Sequence, residues 1–163
     1  MKAWLVHQWG EPEDMRLEEI ADPMPARGEV RIRNHAAAVN FFDVLQIQGK
    51  YQVKPPFPFA PGAEVAGVID AVGEGVTEFA PGQRVTAMSQ GGGFAEFAVC
   101  PANRVFAIPD AMGFEVAAAL SVYFVRMRIE MNEVYLPASI ANLVAHTAFT
   151  PFQYRMLIPT LVE

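Results

Sequence analysis

The feature that most constrains this chain is its punctuation. From Met1 to about Ala107, short apolar runs alternate with Gly and Pro signals, and each run stops at strand length. Lys2 to His7 reads as a first strand. Glu29 to His35 alternates, with Val30 and Ile32 on one face and Arg31 and Arg33 on the other, the pattern of a half-buried strand. Glu64 to Val72, Gln83 to Met88 and Phe94 to Val99 continue it, the last with Phe94 and Glu96 facing opposite to Ala95 and Phe97. Pro61-Gly62 and Pro81-Gly82 fall between runs. There Pro presets φ and Gly supplies a positive φ, the chemistry of a type II turn. Many short strands joined by such turns predict a barrel or a sandwich.

One segment breaks the pattern. Asn40 to Gly49 spaces Phe41, Val44, Leu45 and Gln48 at helical intervals, and Gly49 is placed to end the helix. Asn40 and Asp43 then lie near the helix N-terminus, where a ligand could meet them. After Pro109 the residues Phe114, Val116, Ala117, Ala118, Ala119 and Leu120 form a helix-compatible run. Beyond Val122, Met127, Met131, Val134 and Tyr135 recur at roughly helical spacing up to Pro137, and Ser139 can cap a segment running to Phe149. The predicted class is therefore mainly β with helices (α+β), divided into a domain over 1–120 and a helical tail over 121–163. The tail is Met-rich, apolar and sparsely charged, and alone it is expected to need a partner surface or a lipid-like environment to stay soluble.

A chain of 163 residues holds one domain with additional elements, and two complete enzyme domains do not fit. A net charge of -6 opposes the phosphate backbone, which argues against nucleic acid as a partner. A single cysteine, Cys100, precludes an intrachain disulfide and a multi-cysteine metal site, so a reducing compartment is expected, with the cytoplasm as default. The apolar run at the N-terminus is too short for a signal peptide, and no apolar stretch reaches the length of a membrane span.

No G-x-G-x-x-G and no P-loop occurs, and neither Gly73-Glu74-Gly75 nor Gly91-Gly92-Gly93 has a third Gly at the required offset. Gly91 to Gly93 reads as a flexible hairpin turn. His7, His35 and His146 lack metal spacing and read as ordinary surface or core residues. Cys100 reads as a small buried hydrophobe, and Arg31 with Arg33 as an outward, solvated basic pair.

The ordered stretch HAAAVNFFDVLQIQGKYQVKPPFPFAPGAEVAGVIDAVGEGVTEFAPGQRVTAM, followed by GGGFAEFAVCPANRVFAIPD and FEVAAAL, resembles the GroES-like catalytic domain of the medium-chain dehydrogenase/reductase superfamily. Within it the stretch is similar to the zinc-independent NADPH:quinone oxidoreductase branch. The resemblance spans roughly Met1 to Leu120 and implies a GroES-like, partly open β-barrel. Zinc-dependent alcohol dehydrogenases of the superfamily place a Cys where Asn40 stands and a G-H-E motif where Gly62-Ala63-Glu64 stands, and they carry a four-Cys lobe that has no counterpart here. A catalytic zinc needs three protein donors, so the resemblance implies no metal. It implies instead hydride transfer from NADPH to a quinone or an activated C=C, with a small quinone or enone as substrate.

On this resemblance Asn40 faces the nicotinamide or the substrate, as both a catalytic and a cofactor-binding residue; read from the residues alone, it equally caps the helix that follows. Asp43 either orients a neighbouring donor or favours the first helical turn through the macrodipole. Tyr51 either lines the substrate cleft or fills packing space in a Pro-rich loop. Glu64 is expected to be structural.

The match ends after Leu120. Ser121-Val122-Tyr123-Phe124-Val125-Arg126 stands where the family continues into a P-x-T-Y-G-T-A-Y type segment and its Rossmann domain. The expectation is a catalytic half truncated before the cofactor-binding half and inactive by itself. The alternative is a non-enzymatic GroES-like binding or assembly module. Either way, a barrel face left bare predicts a homo-oligomer or a partner that covers it.

Overall fold

The computed structural model describes residues 1–121 and 156–159. Eight strands are described: β1 Lys2–Leu5, β2 Arg16–Glu19, β3 Glu29–Val39, β4 Glu64–Val72, β5 Arg84–Met88, β6 Phe97–Pro101, β7 Val105–Ala107 and β8 Met156–Pro159. The helix α1 covers Phe41–Ile47, and residues 114–121 form a second helix, α2. The helical expectations for 126–136 and 139–149 lie outside the described residues.

The long strand β3 organises the domain. In the antiparallel order β6-β3-β4-β5-β7, one edge of β3 carries β4 along its length, while the other carries β6 opposite Glu29–Arg33 and β8 opposite Ala36–Val39. The sheet is mainly β and open, as a GroES-like partly open barrel requires. A separate ribbon of β1 and β2 is joined to it by the bridges Ala3–Ala95 and Val6–Phe59.

The alternation read in Glu29 to His35 holds for Val30 and Ile32, which are wholly buried together with Val65, Ile69, Val85 and Val105. On another part of the sheet, Ala36 and Ala66 pack under Ile108, Met112, Ala117 and Ala118, so α2 lies against the β3–β4 pair. The Thr86 hydroxyl lies 3.0 Å from the Val65 carbonyl and 2.9 Å from that of Ala117, which ties α2 to the strands beneath it. Gly67 lets β3 and β4 close fully. A Cβ there would lie 1.9 Å from the Arg33 carbonyl oxygen.

Three expectations are corrected. Strand β6 starts at Phe97 rather than Phe94, because Phe94 is in a turn and the Ala95 carbonyl is taken by a side chain of β3 instead of by a ladder. The strands β2 and β7 carry too little alternation to be legible: Arg16–Glu19 is nearly all exposed, and Val105–Ala107 is three residues long. The basic pair is not a plain solvated face. Arg31 Nε donates to Asp70 at 2.7 Å and Arg33 to the other carboxylate oxygen at 3.1 Å, with both guanidiniums over the Phe97 ring. Two cations share one carboxylate and one aromatic face, and Arg31 loses most of its exposure in doing so.

Candidate active site

Strand β3 runs straight into α1, and the residue between them is Asn40, in extended backbone (φ -119°, ψ 160°) as an N-cap must be. Three residues on, Asp43 turns back and accepts the Asn40 backbone N–H at 2.7 Å, one half of a capping box. The Asn40 Nδ2 is buried with no hydrogen-bond partner, although the residue as a whole is half-exposed. A buried amide donor left unpaired is costly, so its presence calls for an acceptor that arrives from elsewhere.

The second wall comes from the turn before β4. Residues Ala38 and Glu64 are register partners across β3 and β4, which brings Glu64 to the level of the chain just ahead of Asn40. Glu64 and Asp43 are both almost fully buried, at 2% and 1% exposure. Gly62 has φ +88°, and a Cβ there would lie 2.6 Å from the Phe94 ring and 2.9 Å from the Phe94 amide nitrogen, so only glycine fits. Ser89, at the end of β5, donates its amide to the Ala63 carbonyl at 2.7 Å and fixes the turn from the other side.

Burial pushes the Asp43 carboxyl up to about 7. The Asn40 N–H pulls it down, the Glu64 charge pushes it further up, and the Gly62 N–H again pulls down. The Gly62 contact does not complete a hydrogen bond to Oδ1, which has no partner. Burial is thus the largest influence on the Asp43 carboxyl and holds it well above the ordinary carboxylate range.

Tyr51 is half-buried and tilts against the Phe42 ring at 5.7 Å, while its backbone N–H donates to the Leu45 carbonyl at 3.1 Å. The structure thus brings Asn40, Asp43 and Glu64 together, while the Tyr51 ring meets Phe42 on α1. Among the other side chains considered, Cys100 is wholly buried, and burial pushes its thiol up to about 12, which leaves it inert. His35 is exposed, stacked on Phe114 at 4.5 Å, and held below its ordinary pKa by burial and by Arg33 and Arg84. His7 pairs with Glu18 at 2.8 Å on the surface. Among the described residues, no three His, Cys, Asp or Glu side chains cluster as metal ligands.

Sequence reasoning passed over Asn34 and Ser89. Asn34 continues the parity of Val30 and Ile32 and is wholly buried, so a polar residue on an apolar face was the available signal. Its amide donates to the Gly92 carbonyl at 3.1 Å and the Ala95 carbonyl at 2.8 Å. The turn at Gly91–Gly93 is correspondingly no free hairpin, since Gly92 N–H and Gly93 N–H donate to the Ala60 and Gly62 carbonyls at 2.9 and 2.8 Å.

A capped helix thus stands at the end of the central strand of the sheet, with a spare buried donor at its start. Residues 26–110 match the alcohol dehydrogenase GroES-like domain family, and the chain belongs to that family, within the medium-chain dehydrogenase/reductase superfamily. It is 41% identical over 80 residues to the quinone oxidoreductase of Sus scrofa, covering 48% of this chain and 24% of that protein. To the human synaptic vesicle membrane protein VAT-1 homolog it is 43% identical over 111 residues, 68% of this chain and 28% of that protein. Among solved structures, the human synaptic vesicle membrane protein VAT-1 homolog-like protein superposes with a TM-score of 0.74 at 34% identity, over 88% of this chain and 44% of that one. The Escherichia coli quinone oxidoreductase complexed with NADPH gives 0.70 at 30% identity, over 78% and 40%. The chain spans about a quarter of the length of these curated relatives. No helix among the described residues is long and apolar enough to cross a membrane.

Proposed function

We propose that this chain carries the substrate-side catalytic domain of a zinc-independent, NADPH-dependent reductase that delivers hydride to a quinone or an activated C=C. The observation that carries the reading is the buried, unpartnered Nδ2 of Asn40. A carbonyl oxygen is the acceptor it suits. Donation from Asn40 draws electron density from a quinone or enone, so that the conjugated carbon accepts hydride and the growing negative charge on oxygen meets a fixed N–H. NADPH, when bound, supplies that hydride. Asn40 stands where the zinc enzymes place Cys and Ala63 where they place His, and neither the amide nor the methyl group is a zinc ligand.

The described residues suit the carbonyl-bearing end of the reaction and not the phosphate end. Gly91–Gly93 leads into a turn rather than a helix, and its amides are already engaged with Ala60 and Gly62. The phosphates of NADPH must then be held by a further unit, outside the described residues or on a second polypeptide that covers the open sheet. A small quinone or enone is the substrate class, and the cytoplasm is the compartment.

Titration of 15N-labelled chain with cyclohex-2-enone tests this. The Asn40 side-chain amide resonances are expected to move with added enone, and Asn40→Leu is expected to abolish the response. An Asn40 amide that stays in place throughout the titration, with NADPH equally silent, would leave the domain as a binding module and end the catalytic reading.

A further inference from the structure

We propose that Met24 is a site of oxidation by hydroperoxides, and that the Arg31 guanidinium holds the resulting sulfoxide, so that oxidation fastens the connection between β2 and β3 to the sheet instead of loosening it.

Met24 lies in that connection, residues 20–28, and is 77% exposed, so an oxidant in solution reaches its sulfur directly. Met1, Met15 and Met88 are half-buried, and Met112 is buried. The Met24 sulfur also faces a cation: Arg31 Nη1 donates to it at 3.7 Å and to the neighbouring Pro23 carbonyl at 3.0 Å. That guanidinium is anchored from behind. Its Nε donates to Asp70 at 2.7 Å, its Nη2 pairs with the same carboxylate, and its Cζ stands 5.0 Å from the centre of the Phe97 ring. Held between β4 and β6, with its side chain only 16% exposed, Arg31 presents Nη1 to residues 23 and 24 as a fixed donor.

A thioether is a weak acceptor, so the reduced side chain makes little use of this donor. Oxidation changes the acceptor. The sulfur lone pair attacks the terminal oxygen of a hydroperoxide, and an S–O bond forms as the O–O bond breaks. The proton on that oxygen passes to the departing one, which leaves as water from hydrogen peroxide or as an alcohol from an alkyl hydroperoxide. Sulfur is oxidised by two electrons and the peroxide is reduced by two. The new oxygen carries partial negative charge and accepts a charge-assisted hydrogen bond, roughly twice as strong as a neutral one. Oxidation of a methionine ordinarily harms a protein by setting a polar group among apolar ones, a penalty that an exposed sulfur beside a guanidinium does not meet. The far end of the connection is already fixed: Gly28 N–H donates to the Glu74 carbonyl at 2.9 Å, and a Cβ on Gly73 would lie 1.8 Å from the Ala26 carbonyl oxygen. The gain therefore falls on residues 23 and 24, where Arg31 reaches.

The test treats the full chain with rising doses of hydrogen peroxide and reads sulfoxide at each methionine by mass spectrometry of its peptides. Met24 is expected to oxidise about fivefold faster than Met1, Met15 and Met88. Chain oxidised at Met24 is expected to melt about 2 °C higher than the reduced chain, with the Arg31 Nε–H resonance displaced. Met24→Leu removes the sulfur from an exposed position and is expected to abolish both responses. Oxidation of Met24 within about twofold of the half-buried methionines overturns the proposal. So does a melting temperature that stays or falls once Met24 is fully oxidised, or a rise that persists in Met24→Leu. A rise with the Arg31 resonance unmoved overturns it too, since the guanidinium would then not be what holds the sulfoxide.

Discussion

Two aspartates on neighbouring parts of the same sheet are held in opposite ways. Asp43 is buried at the start of α1 with backbone N–H groups and another acid, Glu64, for company, and its carboxyl is pushed up to about 7. Asp70, on β4, is also pushed up by its partial burial, but the hydrogen bond and charge of Arg31, joined by those of Arg33, outweigh this and hold it below its ordinary value. Burial is common to both, and the presence of a cation decides the sign. The outer pair is a structural clamp whose charges are matched. In the inner pocket Asp43 shares its burial with a second acid, and burial sets the direction of its shift.

Removing the inner charge has the largest predicted effect. A carboxyl whose folded pKa exceeds its unfolded one is favoured by folding only while protonated. The folded chain should therefore lose stability as pH climbs from the ordinary 3.8 to about 7, with the loss complete above that. At roughly 1.4 kcal/mol per pH unit this is on the order of 4 kcal/mol. Asp43→Asn keeps an acceptor for the Asn40 N–H and should flatten the slope, so that it gains denaturant midpoint over the unmodified chain at pH 8 and not at pH 4. A midpoint that tracks the unmodified chain at both values would show the pocket to be solvated.

Asp70→Asn breaks the other side. Its contribution is present above the ordinary carboxylate range and is lost as pH falls through its depressed value, so the variant should be less stable at pH 7 and indistinguishable under strong acid. About 2 kcal/mol is expected for a half-buried Arg31 left without its anion, between the values for surface and buried pairs. Gly62→Ala addresses the wall of the inner pocket with no change in charge. A positive φ and a Cβ 2.6 Å from the Phe94 ring should cost about 1–3 kcal/mol, and enone binding should weaken with it. Arg33→Ala is the smallest: its guanidinium is 56% exposed, Arg31 keeps Asp70, and thermal unfolding should register about 0.5 kcal/mol or less. A larger loss would mean that the cation over Phe97 matters more than the ion pair.

Much of this was legible in the residues. The strand Glu64–Val72 and the helix after Asn40 follow from local pattern and turn chemistry, and the family resemblance follows from ordered motifs that extend over the matched residues 26–110. The fates of Arg31 and Arg33 were not legible, because parity along β3 says only which side they leave the strand, and Asp70 on the adjacent strand decides what they meet. Tyr51 reads from the residues equally as a cleft residue or as packing in a Pro-rich loop, and only the tertiary structure shows that its ring meets Phe42. The glycine turn was the largest miss. Three glycines in sequence signal freedom, and only the opposed turn shows that they are there to permit contact.

The amino-acid sequence by itself determined the class of fold and the capped helix, since these depend on residue identity, period and spacing along the chain. Tertiary structure alone decided which polar groups were left unpaired. Asn40 Nδ2, Asp43 Oδ1 and Asn34 Oδ1 are each buried without a partner because strands and turns far apart in sequence exclude water around them, and the cost of a buried polar atom depends on what surrounds it rather than on its place in the chain.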